Sequence, residues 1–581
     1  MQVEYSSSWV ADFETTTETD YIADGRVRCY LWRAESLATD EAVEGNDTAS
    51  FIEFCKRKDV KTVWFFNLKF DGSFILNEML GDGWEHSPKQ VKGSQTYSHI
   101  VTGQGQWMML KLQFGKHVCQ ILDAAKKFPG ISLEDVARTY GIQGKADMSF
   151  TKRRPMDYIA DKWDLDRVRG DTRILKVAMN DLYARGFTKM TMASDAKAFF
   201  NRQWMSRYST DEKGRKAWNR TFPKLTQKED DWLRPAYKGG FVYVNPKWAG
   251  KDVHGVTVYD VNSMYPAQMR YKALPVGRPV MRAPEKGELY VVSFDAIFDL
   301  KKGYLPTIQS KESYTKNEAE YMTTSNGMWH HLNLTCIEYD LFKEHYDVHA
   351  EQGHEYMCFR SEEGIFNEYI DYWMKEKERC SVRNDKGERD EVGRATAKRF
   401  LNSLYGKTGE NPVKQSKSSY IDESGVLRWV IEETEGSAWY LPMATFITAY
   451  ARCFIISSAQ KFGEDFIYAD TDSIHCLNAE EHEHLIDIDA TRLGAWDKEH
   501  VYAHGRYLRP KTYMHYEIAN INNGYCYNVI DTTMAGVPDS CRDQITWENF
   551  HKGVTYTGKL MSRQVPGGVC LIATEYHVKV N

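Results

Sequence analysis

One stretch of the sequence reads Phe-Ile-Tyr-Ala-Asp-Thr-Asp-Ser-Ile-His (residues 466–475). Apolar, aromatic and β-branched residues precede the two acids and an apolar residue follows them, which predicts a strand, a tight turn and a second strand. Asp and Ser favour the turn because their side chains bond to their own backbone. Neighbouring carboxylates repel each other, so a buried pair needs a proton or a cation, and Mg²⁺ prefers carboxylate oxygens. A solvated surface turn is the alternative, and the rest of the sequence must decide between the two.

The composition is that of a globular protein with several domains, because 581 residues are too many for one core. The net charge of −6 is not typical of a nucleic-acid binder, although a basic channel can lie inside an acidic exterior, and residues 375–417 are rich in Lys and Arg. We expect no membrane span and no N-terminal signal peptide. The cysteines are scattered without a Cys-x-x-Cys pair, which argues against a zinc site or a disulfide framework and fits a reducing cytoplasm.

Four acids in the first third of the chain could converge on two metal ions. Asp12 and Glu14 are two apart in a predicted strand, so both side chains lie on one face. Asp71 lies in the loop after the aromatic run 63–66, and a helix is predicted to begin near Gly72. Asp171 is predicted to lie at the start of another helix. A metal pair about 3.5–4 Å apart activates a water in phosphodiester hydrolysis. The alternative is that each acid is an ordinary turn or cap residue.

Two loops carry candidates for contacts with a phosphate backbone. Lys145 precedes Asp147 and the basic run 152–154; a loop lysine is usually solvated, but one that reaches the four acids could hold a scissile phosphate. The segment Tyr-Lys-Gly-Gly (237–240) has paired glycines that allow a close approach to a nucleic-acid strand. A plain turn is the competing interpretation of that segment.

A further acid ends a predicted strand in the middle of the chain. Residues 255–266 read Gly-Val-Thr-Val-Tyr-Asp-Val-Asn-Ser-Met-Tyr-Pro, so the strand ends near Asp260 and Pro266 suits the start of a helix. Asp260 can join Asp470 or Asp472 around metals. Tyr265, just before that helix, is placed to wall a sugar pocket, and a core tyrosine is the alternative.

A basic helix is predicted over residues 396–407, ending at Gly406. Lys398, Asn402 and Tyr405 fall at i, i+4 and i+7 and share one face. A cation, an amide and an aromatic ring on one face suit a triphosphate, a base edge and a base plane. Lys386 precedes Gly387, which favours a hairpin of two helices in which Lys386 and Lys398 grip one triphosphate. A charged surface helix is the alternative.

Strand-rich segments occupy the rest of the C-terminal half. Residues 414–440 are predicted to form a hairpin with its turn at 422–425, and residues 544–581 a small strand-rich unit. Lys511 and Tyr513 are two apart, so on a strand they would share a face and could hold a primer backbone.

Together these stretches resemble the protein-primed branch of family B DNA polymerases, the phi29-like phage enzymes. The resemblance extends from Asp12 to the C-terminus. It rests on six motifs in the right order and at compatible spacing: Asp-Phe-Glu-Thr-Thr (12–16), Asn-Leu-Lys-Phe-Asp-Gly (67–72), Asp-Val-Asn-Ser-x-Tyr-Pro (260–266), Leu-Asn-Ser-Leu-Tyr-Gly (401–406), Asp-Thr-Asp-Ser (470–473) and Lys-Thr-Tyr (511–513).

The resemblance implies a mixed α/β multidomain fold. A ribonuclease-H-like 3′–5′ exonuclease domain (1–192) would precede a right-hand polymerase with a palm (193–272 and 441–543), fingers (374–409) and a thumb (544–581). It also implies two insertions, the terminal-protein regions, at 273–373 and 410–440. In the family the second helps to encircle DNA and gives processivity and strand displacement.

The resemblance further implies roles for the matching residues of each site. In the polymerase site these are the metal positions Asp260, Val261 and Asp472 with Asp470 close by, the nucleotide contacts Val261, Tyr265 (the gate against ribonucleotides), Lys386, Lys398, Asn402 and Tyr405, and the DNA contacts Tyr237, Gly239, Gly240, Ser263, Lys511 and Tyr513. In the exonuclease they are the metal carboxylates Asp12, Glu14, Asp71 and Asp171, the catalytic lysine Lys145, and the single-strand contacts Thr15, Asn67 and Phe70.

The expected cofactors and partners follow from the same resemblance. We expect two Mg²⁺ ions per active site, replaceable by Mn²⁺, with primer-template DNA, deoxynucleoside triphosphates and a terminal protein as partners. A monomer acting in the cytoplasm of a bacterial host is expected. The alternative function is a metal-dependent 3′–5′ exonuclease whose C-terminal region only binds DNA.

Three positions depart from the family pattern, all in the exonuclease part. Arg167 stands where the family has a tyrosine that orients the attacking water, and it could instead contact a phosphate. Phe66 replaces a histidine, which keeps the stacking capacity but loses a hydrogen bond. Ala124 replaces a serine after Asp123.

Overall fold

The computed structural model describes residues 4–16, 26–87, 95–144, 154–309, 320–384, 387–436, 438–521, 524–534, 536–537 and 539–578. Helices and sheets alternate along the chain and pack as several units, which confirms the predicted mixed fold class. Lys145, Asp147 and Lys386 lie outside the described residues, so the predictions for them are not addressed by the structure.

An eight-stranded sheet forms the N-terminal unit, with the spatial order β3-β2-β1-β4-β8-β7-β6-β5. Strand β1 pairs parallel with β4, and β4 pairs parallel with β8, so these three strands end at the same edge. The strands are β1 (Ser8–Thr15), β2 (Cys29–Ser36), β3 (Ala42–Gly45), β4 (Thr62–Phe65), β5 (Glu85–His86), β6 (Gln95–Val101), β7 (Trp107–Phe114) and β8 (His117–Asp123), and the helices are α1 (Thr48–Cys55), α2 (Asp71–Gly81), α3 (Leu133–Thr139) and α4 (Lys162–Ala184).

Helix α4 differs from the sequence prediction. It begins at Lys162, so Asp171 lies in its interior and not at its start. The Asp161 side chain accepts a hydrogen bond from the Asp164 backbone, and the Asp164 side chain returns one, which closes a capping box. This cap fixes the helix start nine residues before Asp171, and the single glycine at position 170 costs too little to end a long helix.

A second unit, built on a seven-stranded sheet with the order β21-β20-β19-β10-β18-β17-β9, lies where the resemblance implies the palm, and we call it the palm unit. The predicted strand–turn–strand is confirmed, because β17 ends at Asp470 and β18 begins at Ser473. The strands are β9 (Val242–Val244), β10 (Asp252–Val261), β17 (Phe466–Asp470), β18 (Ser473–Cys476), β19 (Trp496–Arg509), β20 (Thr512–Ile521) and β21 (Gly524–Met534), with α8 (Met264–Tyr271) after β10 and the short α13 (Ala479–His482) after β18.

Helices join the N-terminal unit to the palm, and a separate mixed unit follows β10. The joining helices are α5 (Met192–Ser206), α6 (Asp211–Thr221) and α7 (Gln227–Leu233). The mixed unit has a four-stranded sheet of order β11-β14-β12-β13. It contains β11 (Leu274–Met281), β12 (Leu289–Leu300), β13 (His330–Thr335), α9 (Cys336–His345) and β14 (Tyr346–Glu362).

Two helices, α10 (Asn367–Ser381) and α11 (Glu391–Thr408), form the predicted helical hairpin around Gly387. The predicted end of α11 at Gly406 is wrong by two residues, because the helix continues to Thr408 and is capped by Gly409. Gly406 has open space around it, so nothing there obliges the chain to turn.

Helix α12 (Leu441–Gln460) lies between the palm and the mixed unit. It is the one helix of the described residues that is long and apolar enough to cross a membrane, which corrects the expectation that the sequence has no such run. Most of this window, 83%, is buried inside the protein, as in the core helix of a globular domain.

Two hairpins close the molecule against its N-terminal unit. They are β15 (Val413–Ile421) with β16 (Leu427–Glu435), as predicted, and β22 (Thr555–Val565) with β23 (Gly568–His577), which follows α14 (Asp539–Arg542). The first hairpin contacts β6 and β7, where the Ser419 hydroxyl lies 3.0 Å from Nε2 of His99 and the Trp429 ring packs edge-on against Trp107. We call this contact the hairpin clasp.

The turn of the second hairpin reaches the first hairpin and the N-terminal unit. The Val27 backbone N–H donates to the Pro566 carbonyl at 3.0 Å. A side chain at Gly567 would meet the Val27 carbonyl and one at Gly568 would meet the Phe74 ring, so both positions need glycine. The first hairpin, the second hairpin and the N-terminal unit therefore contact one another in a ring.

Candidate active sites

The paired acids of the palm come together on two neighbouring strands. Asp260, near the end of β10, is the register partner of Ser473 on β18, which places it beside the turn 470–473. The Val261 backbone N–H donates to the Asp472 carbonyl at 2.8 Å, and Thr471 takes a left-handed conformation with φ of 62° that reverses the chain in two residues. Asp260 and Asp472 therefore face one cavity.

The electrostatics of these two acids favour a divalent cation. Burial, and then the negative charges of Asp472 and Glu499, raise the pKa of Asp260 to about 8, while Lys398 opposes this shift. Burial and the charge of Asp470 raise the pKa of Asp472 to about 6. Two buried carboxylates that disfavour each other's ionisation are a donor set that suits Mg²⁺.

Asp470 has a different environment from the other two acids. Its carboxylate accepts hydrogen bonds from Nζ of Lys511 at 2.8 and 3.1 Å and from the Tyr468 hydroxyl at 3.0 Å. Asp470 thus holds a lysine in this structure. Lys511 lies in the turn between β19 and β20 with φ of 54°, so the prediction that it shares a strand face with Tyr513 is wrong.

A cavity of about 790 Å³ opens above the acids, which is a volume typical of ligand sites. It brings together most of the predicted nucleotide-site residues, including both acids, Lys398 and Asn402. The Tyr265 and Tyr405 rings stack in its wall with centroids 4.1 Å apart. The predicted residues that line it are Asp260, Val261, Ser263, Tyr265, Lys398, Asn402, Tyr405 and Asp472.

Five charged residues that line this cavity were missed by the sequence reasoning: Lys377, Glu378, Arg394, Asp497 and Glu499. Lys377 and Arg394 face the acids from α10 and α11, and burial together with the positive charges of Lys398 and Arg394 lowers the pKa of Lys377. Asp497 and Glu499 lie on β19, where Asp497 is the register partner of Asp260. The spacing of Arg394, one helical turn before Lys398, was a usable signal.

The predicted loop 237–240 packs directly on the turn 470–473. A side chain at Gly240 would lie 2.8 Å from Cγ2 of Thr471, and one at Gly409 would meet the Tyr237 ring, so both contacts depend on glycine. The Phe241 carbonyl accepts a hydrogen bond from the Thr471 N–H at 2.8 Å. Gly239 has open space beside it.

Arg452 of α12 holds this loop from behind. Its Nη1 donates to the carbonyls of Lys238 at 2.7 Å and Gly239 at 2.8 Å. Its Nε and Nη2 donate to Oε1 of Glu338 on α9 at 3.1 and 2.5 Å. Both residues are buried. We call Arg452 and Glu338 the loop brace, which the sequence reasoning missed although an arginine in an apolar helix is unusual.

The four predicted acids of the N-terminal unit lie on three elements around one edge of the sheet. Asp12 and Glu14 are on the central strand β1, Asp71 begins α2, and Asp171 is in α4. Glu14, Asp71 and Asp171 are buried. Burial raises the pKa of Glu14 to about 8, with further contributions from the charges of Asp12 and Asp171, whereas Arg167 opposes the shift. Their carboxylates are the type of ligand that suits a divalent metal.

The predicted single-strand contacts surround these acids. Thr15 ends β1 and is buried, while Phe70 packs beside Phe74 with ring centroids 5.7 Å apart. Asn67 has φ of 65°, and its N–H donates to Oδ1 of Asp123 at 2.9 Å. Asp123 also accepts from the Ala125 N–H at 3.0 Å, so the missing serine at 124 leaves this turn intact.

Arg167 lies inside this acid cluster. Its Nε is 3.1 Å from Oε1 of Glu14, so the guanidinium contacts a predicted metal ligand. The sequence reasoning named Arg167 as a departure but did not predict this partner.

A third acidic group lies away from both sites. We searched the described residues for groups of three or more His, Cys, Asp or Glu side chains whose ligand atoms all lie within 4.8 Å of one another. The one group found consists of Asp465, Glu481 and His482. His482 and Asn478 already hydrogen-bond to Asp465, and the group does not line the cavity described above.

Comparisons with known proteins agree with this arrangement. The family model described as DNA polymerase type B, organellar and viral, matches residues 143–490. The chain is 33% identical over 590 residues to the DNA polymerase of Bacillus phage B103, covering 98% of this chain and 99% of that protein. It is 31% identical to the DNA polymerase of Bacillus phage phi29 and 30% identical to that of Streptococcus phage Cp-1, each alignment covering 98% of both chains.

Solved structures give the same result. Phi29 DNA polymerase in an orthorhombic crystal form superposes with a TM-score of 0.87 and 30% identity, covering 98% of this chain and 100% of that one. Phi29 DNA polymerase complexed with primer-template DNA and incoming nucleotide substrates superposes with a TM-score of 0.86 over the same shares.

Proposed function

The chain belongs to the phi29-like DNA polymerases of family B, and we propose from this membership that it is a protein-primed, strand-displacing replicase with a proofreading exonuclease. DNA-directed DNA polymerase activity argues against the alternative of a nuclease with a non-catalytic C-terminal region. The proposed setting is replication of a linear phage-type genome in the cytoplasm of a bacterial host, by a monomer.

The proposed division of labour follows the units of the fold. We assign the exonuclease to 1–192, the palm to 193–272 and 441–543, the fingers to 374–409 and the thumb to 544–581. The insertions 273–373 and 410–440 are assigned to the terminal protein, and the second also to strand displacement.

The observation that best supports polymerase chemistry is the pair Asp260 and Asp472. Both line a cavity that Lys377, Arg394 and Lys398 also line. Asp260, Asp472 and the Val261 carbonyl would hold two Mg²⁺ ions, replaceable by Mn²⁺, and Asp12, Glu14, Asp71 and Asp171 a second pair; such ions lower the pKa of an attacking oxygen and stabilise the leaving one. Lys398, Arg394 and Lys377 would offset triphosphate charge from the opposite wall.

The cavity walls suit a deoxynucleotide. Asn402 offers an amide to a base edge, and the stacked pair of Tyr265 and Tyr405 would close the space beside the sugar. Lys511 is held by Asp470 at the rim, where with Tyr513 it would contact the primer strand. The loop 237–240 and Ser263 would contact DNA next to the catalytic turn.

The test is primer extension on a gapped circular template with Mg²⁺ and deoxynucleotides. Asp472→Asn should lower extension at least about 100-fold, the usual loss when one group that stabilises transition-state charge is removed. Asp465→Asn, an acid in the same unit outside the cavity, is the matched control and should extend normally. Equal activity of the wild type and Asp472→Asn would contradict the assigned metal site, and primer shortening without extension would favour the nuclease alternative.

Strand displacement is proposed because both hairpins contact the N-terminal unit and complete a ring. Product longer than the circular template supports it, while extension that stops at the downstream strand contradicts it.

Proofreading is proposed for the acid cluster around Glu14. A primer with a mismatched 3′ end should shorten without nucleotides, and Asp171→Asn should remove most of that activity.

Protein priming is the part of the proposal that rests on family membership alone. In it, a hydroxyl of a terminal protein takes the place of the primer 3′-hydroxyl at the polymerase site. Transfer of one labelled deoxynucleotide onto a candidate terminal protein, lost in Asp472→Asn, is the expected result. Extension of oligonucleotide primers without any such transfer would contradict it.

A further inference from the structure

Arg167 lies where the exonuclease site should be most negative. It belongs to α4, one helical turn before Asp171, and its side chain is 12% exposed. The guanidinium contacts Glu14 at 3.1 Å and lies over the Trp163 ring at 5.9 Å from the ring centroid. An arginine does not lose its proton in proteins, so the site contains a permanent positive charge.

The contact between Arg167 and Glu14 is an ion pair without hydrogen-bond geometry. Among the described residues, Nε and Nη1 of Arg167 are buried and make no hydrogen bond, and neither does Oε1 of Glu14. Buried donors without acceptors are costly, by about 1–3 kcal/mol each. Arg167 therefore has two N–H groups available for an acceptor that is not part of this chain.

Arg167 is also the cation that balances Glu14. Arg167 lowers the pKa of Glu14, whereas the negative charges of Asp12, Asp171 and Asp164 raise it. Removing the guanidinium would therefore leave a cluster of like charges. A divalent ion placed among these acids would meet both its ligands and a competing cation. Repulsion between two cations a few ångströms apart in a partly buried site is substantial.

We propose that Arg167 is an internal counter-cation of the exonuclease site, which leaves Glu14 when a divalent ion binds and then holds the scissile phosphate through the freed N–H groups. The inference rests on the proposed exonuclease function. Arg167 acts here as a positioning residue that ties metal loading to the presence of a single-stranded 3′ end, since the phosphate is the acceptor that it gains on leaving Glu14.

The first half of the proposal is that Arg167 competes with a divalent ion for Glu14. It is tested by measuring metal affinity without DNA. The full chain carrying Asp260→Asn and Asp472→Asn, which removes the two proposed metal-binding carboxylates of the palm unit, is titrated with Mn²⁺ alone by calorimetry or by electron paramagnetic resonance. Adding Arg167→Gln should tighten Mn²⁺ binding about tenfold or more, because a neighbouring charge commonly shifts such equilibria by one to three pK units. Arg167→Lys keeps the positive charge, and its Mn²⁺ affinity should be close to that of the background protein with Arg167. Unchanged or weaker binding by Arg167→Gln would overturn the proposal.

The second half of the proposal is that Arg167 holds the scissile phosphate once a divalent ion has bound. It is tested by measuring how the divalent ion changes the affinity for DNA. Affinity for a short single-stranded oligonucleotide is measured with and without Ca²⁺, which serves as a divalent ion that supports little cleavage. Ca²⁺ should raise oligonucleotide affinity several-fold more in the background protein than in Arg167→Gln. Equal enhancement in both proteins would overturn the exchange onto phosphate.

Two controls separate this inference from the function beneath it. Glu14→Gln should lose Mn²⁺ at this site, and if it bound as the background does, the exonuclease assignment itself would fail. Thermal unfolding shows whether Arg167→Gln folds: its midpoint should rise more on Mn²⁺ addition than that of the background protein, because tighter binding to the folded state stabilises it more.

Discussion

Asp260 and Asp472 are the residues whose ionisation we expect to control the proposed polymerase site. Burial and mutual repulsion raise their pKa values to about 8 and about 6. Protons and metal ions therefore compete for the same oxygens between pH 6 and pH 8. We expect the Mg²⁺ concentration for half-maximal extension to rise as the pH falls through this range, as measured by metal titrations at pH 6.5 and 8.5.

The same shifts predict how stability depends on pH without metal. A carboxyl whose pKa is raised on folding contributes stability below its unfolded pKa, near 4, and this contribution is lost as the pH rises through the folded value. The unfolding midpoint of the metal-free wild type should therefore fall relative to that of Asp260→Asn between pH 5 and pH 8.5. A constant difference between the two proteins would contradict the shifted pKa of Asp260.

Tyr265 is predicted to exclude ribonucleotides by its ring and not by its hydroxyl. The ring stacks on Tyr405 at 4.1 Å, which fixes it in the cavity wall. Tyr265→Val opens space beside the sugar and should increase ribonucleotide incorporation relative to deoxynucleotides at least tenfold. Tyr265→Phe keeps the stack and is the matched control. Equal discrimination by Tyr265→Val and the wild type would refute this role.

Sequence motifs indicated which residues lie together where a short motif fixed their spacing. Asp260, Asp472, Lys398 and Asn402 all line one cavity, while their roles stay predictions. Arg452 was not predictable, because its partner Glu338 is 114 residues away and no local pattern joins them. Glu499 was missed for the same reason, since only the pairing of β10 with β19 brings that strand to the site.

The loop brace is expected to act at the level of an element. Arg452→Gln withdraws donors from the carbonyls of the loop 237–240 and leaves Glu338 buried without its cation, which costs about 3–5 kcal/mol when one partner of a buried pair is removed. Extension should fall about tenfold and the unfolding midpoint should drop.

A double variant separates the stability of the brace from its effect on the loop. Arg452→Met with Glu338→Leu removes both buried charges and should recover most of the unfolding midpoint, since apolar replacement of a buried pair is often neutral. Extension should stay low because the loop carbonyls still lack donors. Recovery of both properties together would mean that the brace only stabilises the fold.

The hairpin clasp gives a prediction for the element β15–β16. Trp429→Ala removes the ring that packs on Trp107, so the hairpin should detach more often and strand displacement should shorten several-fold. Tyr420→Ala changes an exposed aromatic of the same hairpin and serves as the control. Product lengths on a primed circular template measure both, and equal lengths would show that the clasp does not limit displacement.

Elements were predictable to the extent that local patterns decide them. The hairpins and the helical pair followed from turn residues and apolar spacing. The start of α4 was misplaced because it was inferred from the apolar spacing after Asp171, and the capping box at Asp161 and Asp164 was not recognised. Lys511 was assigned to a strand because a two-residue spacing does not reveal a turn with positive φ.

At the scale of the whole molecule, the decisive contacts join distant parts of the chain. Gly103 donates its N–H to the Gln415 carbonyl at 2.8 Å, and Val27 donates to Pro566. Periodicity specifies which face of an element is apolar but not which partner covers it, so the ring could not be derived from sequence patterns. The resemblance to a known family supplied that level of organisation.

The contact of Gly567 and Gly568 with Val27 and Phe74 has a consequence for synthesis on the ribosome. Domains generally fold as they emerge, with the N-terminal one first. The acids around Glu14 are therefore in place while the residues that close the ring are still untranslated. A nascent chain, or one whose translation stops before Gly567, would carry the acid cluster around Glu14 without the contacts that the second hairpin makes with Val27 and Phe74.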